Sequence, residues 1–284
     1  CFVFLTIGAG KTTLLKMVSG QEKPTSGCAL INGFDVVTDT SRAQRSMGLC
    51  PQFDTLVERL SVKENLLFFG QIKGLMGGQL VEVVEAFMVA MNIKRYERKL
   101  IMQLSGGNRR KVSLAVALLG APPTVYLDEP STGLDPVASR LMWRLLSKIS
   151  EAKTTAIVLT THNMLECEAV CTRICIMKLG EMVCLGDSQH LRSAHGTGFL
   201  LEVTLQSAAN ADGAKAFVHM TFADAVVVDE HATMLNFEIP RRSIARLSEA
   251  FRIMEEKKRS LGVIDYALSQ STLEQVFLKQ IRPT

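Results

Sequence analysis

Gly8-Ala9-Gly10-Lys11-Thr12-Thr13 gathers bare backbone amides, an ammonium and two hydroxyls into one short run. Glycines let a chain wrap closely round an anion, and a helix starting near Lys11 would add its positive end. That is phosphate chemistry: Lys11 would reach β- and γ-phosphates, and the Thr12 hydroxyl would bind Mg²⁺. A second group lies at Val125-Tyr126-Leu127-Asp128-Glu129-Pro130. Asp128 closes an apolar strand, where a carboxylate can hold Mg²⁺ through water, and Glu129 follows, placed to polarise an attacking water. An isolated Asp-Glu pair is ordinarily a surface turn, but the apolar residues ahead of it favour a buried strand.

Three further positions offer contacts to phosphate. Ser105-Gly106-Gly107 presents a hydroxyl and bare amides at a helix start, a second anion cradle that would serve equally as a plain helix cap. His162 follows a strand ending in Thr160-Thr161 and can hydrogen-bond a γ-phosphate, or be structural. Gln52, after a strand at 47–50, could give a neutral oxygen to Mg²⁺ and sense the γ-phosphate, or simply turn the chain.

The elements that must position these groups alternate. Helix 11–19, strand 28–31, strand 47–50, helices 61–73, 82–91 and 107–119, strand 124–128, helix 137–150 and strand 155–160 describe an α/β domain. Its parallel sheet is covered by helices, with a mostly helical insert at 61–119. Ser61 with Glu64 reads as a capping box. From Gly198 the pattern changes to strand 199–205, helix 211–220, strands 224–229 and 232–239, helix 243–257 and strand 262–268. This β-α-β-β-α-β order is that of a ferredoxin-like unit, followed by a final helix 272–281. Gly196-Thr197-Gly198 marks the junction, giving domains 1–195 and 196–284.

Bulk properties exclude some classes. In 284 residues the net charge is +4, too small to demand nucleic acid, and the basic clusters Arg109-Arg110-Lys111, Arg241-Arg242 and Lys257-Lys258-Arg259 read as solvated faces. The seven cysteines contain no CxxC pair and read as reduced thiols. The apolar stretch Val112 to Leu127 contains Gly120, Pro122 and Pro123, so it does not span a membrane.

The order GAGKTT, CPQFD, LSGGNRRK, VYLDEPSTGLDP, LTTH resembles the Walker A, Q-loop, signature, Walker B with D-loop, and switch histidine of an ABC nucleotide-binding domain, a P-loop NTPase fold. SGGNRRK, with Asn108 where many ABC proteins carry Gln, is similar to the A subfamily. So are MGLCPQFD, THNMLECEAVCTRICIM, CLGDSQHL and the closing SQSTLEQVF, the last resembling the end of that subfamily's small regulatory domain. The resemblance covers nearly the whole chain and implies ATP and Mg²⁺ as cofactors. It also implies an ATPase in the cytosolic part of a membrane transporter that moves lipids, with transmembrane domains outside this chain. By the same resemblance Ser105, Gly106, Gly107 and Asn108 would contact ATP held by a second nucleotide-binding domain, packed head to tail. Asp135 would lie at that seam, and Gln52 would border the groove that receives a transmembrane coupling helix.

The loop departs from the family pattern. Its first glycine is Leu5, and the family's Asn before the second glycine is Ile7. Alternatively Cys1-Phe2 matches the family's strand and the loop has lost a residue. The expectation is of an N-terminally truncated domain, without the strands before Walker A and without the adenine-stacking aromatic. Such a chain would bind ATP weakly, and micromolar affinity in a nucleotide titration would overturn that view. Two other readings are a degenerate regulatory or scaffold domain without turnover and a soluble, non-transport ABC ATPase. The first is opposed by Lys11, Asp128, Glu129 and His162 all being present, the second by the subfamily-like segments and modest charge.

Overall fold

In the computed structural model, which describes residues 2–5, 10–196, 198–244 and 246–281, the chain forms two units, Cys1–Asp187 and Ser188–Thr284. In the first, the chain order is β1 (Phe2–Leu5), α1 (Lys11–Val18), β2 (Leu30–Ile31), β3 (Phe34–Asp35), α2 (Thr40–Arg45), β4 (Met47–Cys50), α3 (Val62–Ile72), α4 (Gly77–Ala90) and α5 (Gly106–Leu118). Then come β5 (Thr124–Asp128), α6 (Pro136–Glu151), β6 (Ala156–Thr161), α7 (Met164–Val170), β7 (Arg173–Lys178) and β8 (Glu181–Gly186).

Six strands make one sheet in the order β4-β5-β6-β1-β7-β8, parallel except for β8, which pairs antiparallel to β7. Val125 and Leu127 of β5 and Ile157 and Leu159 of β6 are fully buried, as strands covered on both faces require. The register sets Asp128 beside Thr160 and Thr161 beside Leu5, so the carboxyl ends of β5, β6 and β1 come level. Ligand groups in open α/β sheets gather at such ends. The expected absence of strands ahead of the glycine loop is corrected for the one that feeds it. β1 lies between β6 and β7, and Leu5 is its last residue rather than a turn residue of the loop.

The helical insert is nucleated where the sequence indicates. Ser61 accepts the Glu64 amide and the Glu64 carboxylate accepts the Ser61 amide, closing the capping box at the start of α3. The next helix begins earlier than its pattern suggests, at Gly77, because Leu80, Val84 and Met88 form one continuous buried stripe. Between His162 and Ser188, where the pattern reading assigns no element, the structure has α7, β7 and β8. The run Ile174-Cys175-Ile176-Met177 is buried throughout and shows no alternation to mark it as a strand.

The second unit runs α8 (Ser188–His195), β9 (Phe199–Leu205), α9 (Ala211–Thr221), β10 (Val226–His231), β11 (Met234–Ile239), α10 (Leu247–Lys257), β12 (Val263–Gln270) and α11 (Leu273–Ile281). Its antiparallel sheet has the order β10-β11-β9-β12. Leu201, Val203, Leu235 and Phe237 share one core with Ala214 and Val218 of α9 and Ala250 and Met254 of α10. The β-α-β-β-α-β order is therefore an α+β layer with both helices on one sheet face. α8 belongs to this unit and packs against α11, and Ser271 exchanges backbone and hydroxyl hydrogen bonds with Gly198. The unit thus begins eight residues earlier than the sequence junction. Among the described residues no helix is long and apolar enough to cross a membrane.

Candidate functional site

The carboxyl ends of β5 and β6 and the start of α1 converge on Glu129. Lys11 opens α1 and is 92% buried; its Nζ stands 3.7 Å from Glu129 Oε1, and His162 Nδ1 stands 3.4 Å from the same oxygen. Gly10, the residue before the helix, has φ +93°, a left-handed conformation that suits glycine and sharpens the entry into α1. Burial pulls the Lys11 ammonium below its usual range, and the charges of Glu129 and Asp128 oppose that pull. Gly8 and Ala9, with Thr6 and Ile7, lie outside the described residues.

Thr160 holds the two carboxylate residues in place. Its hydroxyl donates to Asp128 Oδ1 at 2.5 Å, and the Glu129 amide approaches both the Thr160 hydroxyl (3.0 Å) and its carbonyl (3.1 Å). Glu129 itself has φ +48°, unusual for a residue with a side chain. That twist turns the chain out of the sheet directly after Asp128, and strain of this kind concentrates where geometry matters for function. Thr132 Oγ1 donates to Glu129 Oε2 at 3.1 Å, which orients the carboxylate further.

Thr12, Gln52 and Asp128 line a single cavity of about 430 Å³, together with Lys16, Ser19 and Phe53. A hydroxyl, an amide oxygen and a carboxylate are hard oxygen donors, the set that suits Mg²⁺. Among the described residues no group of three His, Cys, Asp or Glu side chains could hold a metal, so a cation here would rest on this mixed set and on its ligand. Thr13 follows in the first turn of α1 and is exposed.

Ser105 caps its own helix. Its hydroxyl accepts from the Asn108 amide at 3.4 Å and from Asn108 Nδ2 at 3.0 Å, and Ser105 and Gly106 are exposed. The cap leaves the start of α5 facing outward. Gly107 packs under the loop after β5: a Cβ there would come within 3.0 Å of the Gly133 carbonyl. Asp135 is the exposed cap of α6, accepting from Val137 and Ala138 amides; the Ala138 amide first of all holds its carboxyl below the usual range. Lys11, Asp128, Glu129 and His162 thus form one cluster with Thr12 and Gln52 beside it, while Ser105, Gly106 and Asp135 are exposed and Gly107 and Asn108 half-buried.

Arg110 is a correction to the sequence reading. Its place in a basic run suggests a solvated face, yet it is 96% buried. Its guanidinium donates to the carbonyls of Pro51 and Gln52, to Asp54 Oδ1 at 3.3 Å, and to the carbonyls of Asp128, Glu129 (3.1 Å) and Pro130 (3.4 Å). One side chain from the signature helix therefore ties the segment after β4 to the segment after β5. The planar fork of arginine can serve so many acceptors, and lysine cannot. Thr160 was visible only as a hydroxyl at a strand end. No sequence signal marked Arg110, because its partners are backbone carbonyls distant in the chain.

A model of the ABC transporter family matches residues 6–132, and one of the ABCA1-like C-terminal R1 regulatory domain matches residues 196–270. The chain is 41% identical over 282 residues to the mouse and human proteins named phospholipid-transporting ATPase ABCA3, which covers 98% of this chain and 16% of each relative. It is 40% identical over 280 residues to mouse ATP-binding cassette sub-family A member 7, covering 98% of this chain and 13% of that protein. The chain therefore spans about a sixth or less of the curated relatives it matches. Among solved structures it is similar to the ATP-binding subunit of an ABC transporter (TM-score 0.64, 27% identity, 69% of this chain and 82% of that one). It is also similar to the dimeric post-hydrolysis cassette MJ0796 bound to ADP and Pi (TM-score 0.60, 26% identity, 66% and 84%).

Proposed function

The chain belongs to the A subfamily of ABC transporters as an ATPase domain with its regulatory domain, and from that premise we propose that it drives the movement of lipid across a membrane. The observation that carries the reading is the meeting of Lys11, Glu129 and His162 at one carboxylate oxygen, beside Asp128. Four groups of the right chemistry arrive there from three separate elements.

The residues divide the work. Lys11 and the first turn of α1 hold the β- and γ-phosphates, with the Gly10 and Thr12 amides beside them. Thr12 and Asp128, with Gln52, would hold Mg²⁺, which when bound neutralises charge on the phosphate oxygens. Glu129 orients and polarises the attacking water, and His162 donates to the γ-phosphate. Ser105 and Gly106 are exposed and Gly107 and Asn108 half-buried behind them, and the four offer a hydroxyl and amides to ATP on a second nucleotide-binding domain, with Asp135 at the seam. The transmembrane domains of the parent transporter would receive the resulting motion, placing this chain on the cytoplasmic side of a membrane. Lipid would be met by those domains and not here.

A fluorescent ATP analogue titrated into the chain, with and without Mg²⁺, tests the nucleotide site. Mg²⁺-dependent binding that disappears in Lys11→Ala is expected; binding indifferent to Lys11 would overturn it. Reconstitution of the parent transporter in vesicles with labelled phospholipid tests transport, which Glu129→Gln should abolish.

A further inference from the structure

Glu166 is fully buried, one turn beyond His162, and nothing in the nucleotide chemistry above uses it. A buried carboxylate must be satisfied by donors, or it becomes one of the costliest groups in the fold. Here both oxygens are engaged, each by a different segment. Ser131 Oγ donates to Oε2 at 2.9 Å, and Trp143 Nε1 donates to Oε1 at 3.1 Å.

The three segments joined are those whose motions must agree. Ser131 stands two residues beyond Glu129, in the turn that leads to Asp135. Trp143 lies in α6, whose cap is Asp135. Glu166 lies in α7, whose cap, Asn163, is the neighbour of His162 and accepts the Leu165 and Glu166 amides. Burial raises the Glu166 carboxyl above the usual range, while the Thr161 hydroxyl, then Ser131 and Trp143, work against that rise.

Resting on the nucleotide-site reading above, we infer that Glu166 is a positioning residue that locks the segment bearing His162 to the turn bearing Ser131 and to α6, so that the switch histidine and the Asp135 seam move as one body. Two hydrogen bonds from half-buried donors converge on one fully buried carboxylate, and breaking either costs that carboxylate a partner it cannot replace from solvent. A displacement of Asp135 would then carry His162 with it, and the γ-phosphate contact would form only in step with the seam.

The molecule carries its own reporter, because Trp143 is the single tryptophan of the chain. Its indole N–H ends on Glu166, so its emission reads this junction. The experiment uses the whole chain with ATP and Mg²⁺, following occupancy by radiolabelled nucleotide retained on a filter, Trp143 emission, and phosphate release. In wild type, emission should change with the same midpoint as occupancy. Glu166→Gln keeps the shape and removes the charge; it should retain occupancy, lose the emission response and lower kcat by roughly 10-fold with KM little changed. Ser131→Ala, which cuts only one arm and spares the indole contact, should lower kcat in the same sense without unfolding. A purely structural Glu166 would instead shift melting temperature and leave the emission response and the kcat of the folded protein intact. That outcome, or a silent Trp143 at full occupancy in wild type, overturns the inference while leaving the nucleotide site standing. Absence of nucleotide occupancy in wild type overturns both.

Discussion

Lys11 Nζ and Glu129 Oε1 stand 3.7 Å apart, so the lysine proposed to bind phosphate and the carboxylate proposed to polarise water already answer each other's charge. Both are largely shielded from solvent, where such a pair is stronger than on a surface. On the proposed function, a phosphate arriving at Lys11 would compete with Glu129 for it and so free the carboxylate for water. Binding and activation of the base would in that sense be one exchange of partners.

Glu129→Gln removes one side of that exchange. Nucleotide affinity should rise, because Lys11 no longer has an internal anion, while hydrolysis should fall by roughly 100-fold or more through loss of the base. Equilibrium binding beside phosphate release separates the two effects. Unchanged turnover would mean that another group activates the water.

Arg110→Gln should be costly in a way that its neighbour is not. It strands the carbonyls of Pro51, Asp128 and Glu129 in a buried site, at a cost of about 3–5 kcal/mol. For a domain of this size that is a fall of roughly 10 °C in melting temperature. The Nε of Arg109 is buried with no hydrogen-bond partner, so Arg109→Lys should be nearly neutral. Thermal melts of the two variants side by side decide the matter, and equal losses would count against the tie.

Lys73 gives the stability a pH signature. Burial pushes its ammonium down to about 8 from an ordinary 10.5, and its Nζ donates to the Val116 and Ala117 carbonyls at the end of α5. Between those two pH values the unfolded chain holds a proton that the folded chain has given up. The contribution of this site to stability therefore rises with pH across the window and is flat below it. Relative to Lys73→Met, wild type should gain on the order of 3 kcal/mol between pH 8 and 10.5. Urea midpoints for both proteins across that range test this; parallel curves would show that Lys73 keeps its proton throughout.

Gly48→Ala should disrupt the seat of α5 on β4. A Cβ at this position would lie 2.0 Å from the Ala117 carbonyl oxygen, which is backbone and cannot swing aside. Overpacking of this kind costs about 1–3 kcal/mol or more. Because Lys73 bonds the same carbonyl, the variant should also blunt the pH signature described above. A folded protein with wild-type stability would show that α5 can slide.

The chemistry-bearing residues were legible in the sequence because each sits at an element boundary with a local cause. Glycines mark the start of α1, the capping box marks α3, and Asp128 ends an apolar strand whose composition admits no other place. The β-α-β-β-α-β order of the second unit was equally legible from strand alternation and turn residues. Arg110 and Glu166 were not. Both are charged residues on helices with ordinary polar surroundings in sequence, and their burial is decided by partners that only folding brings near. The same holds for β7, whose continuous apolar run lacks the alternation of a half-buried strand.

The packing of α8 against α11 has a practical meaning for anyone dividing this chain. With Ser271 fastened to Gly198, the first and last helices of the second unit are stitched at a common seam. A cut between His195 and Gly196 would strip α8 from α11, whose Leu273, Val276 and Phe277 are buried. A cut between Asp187 and Ser188 spares that surface. Since the unit closes on itself, it should also tolerate rewiring: a short linker from α11 back to α8, with new ends opened in the β10–β11 turn, would give a circular permutant of the same sheet.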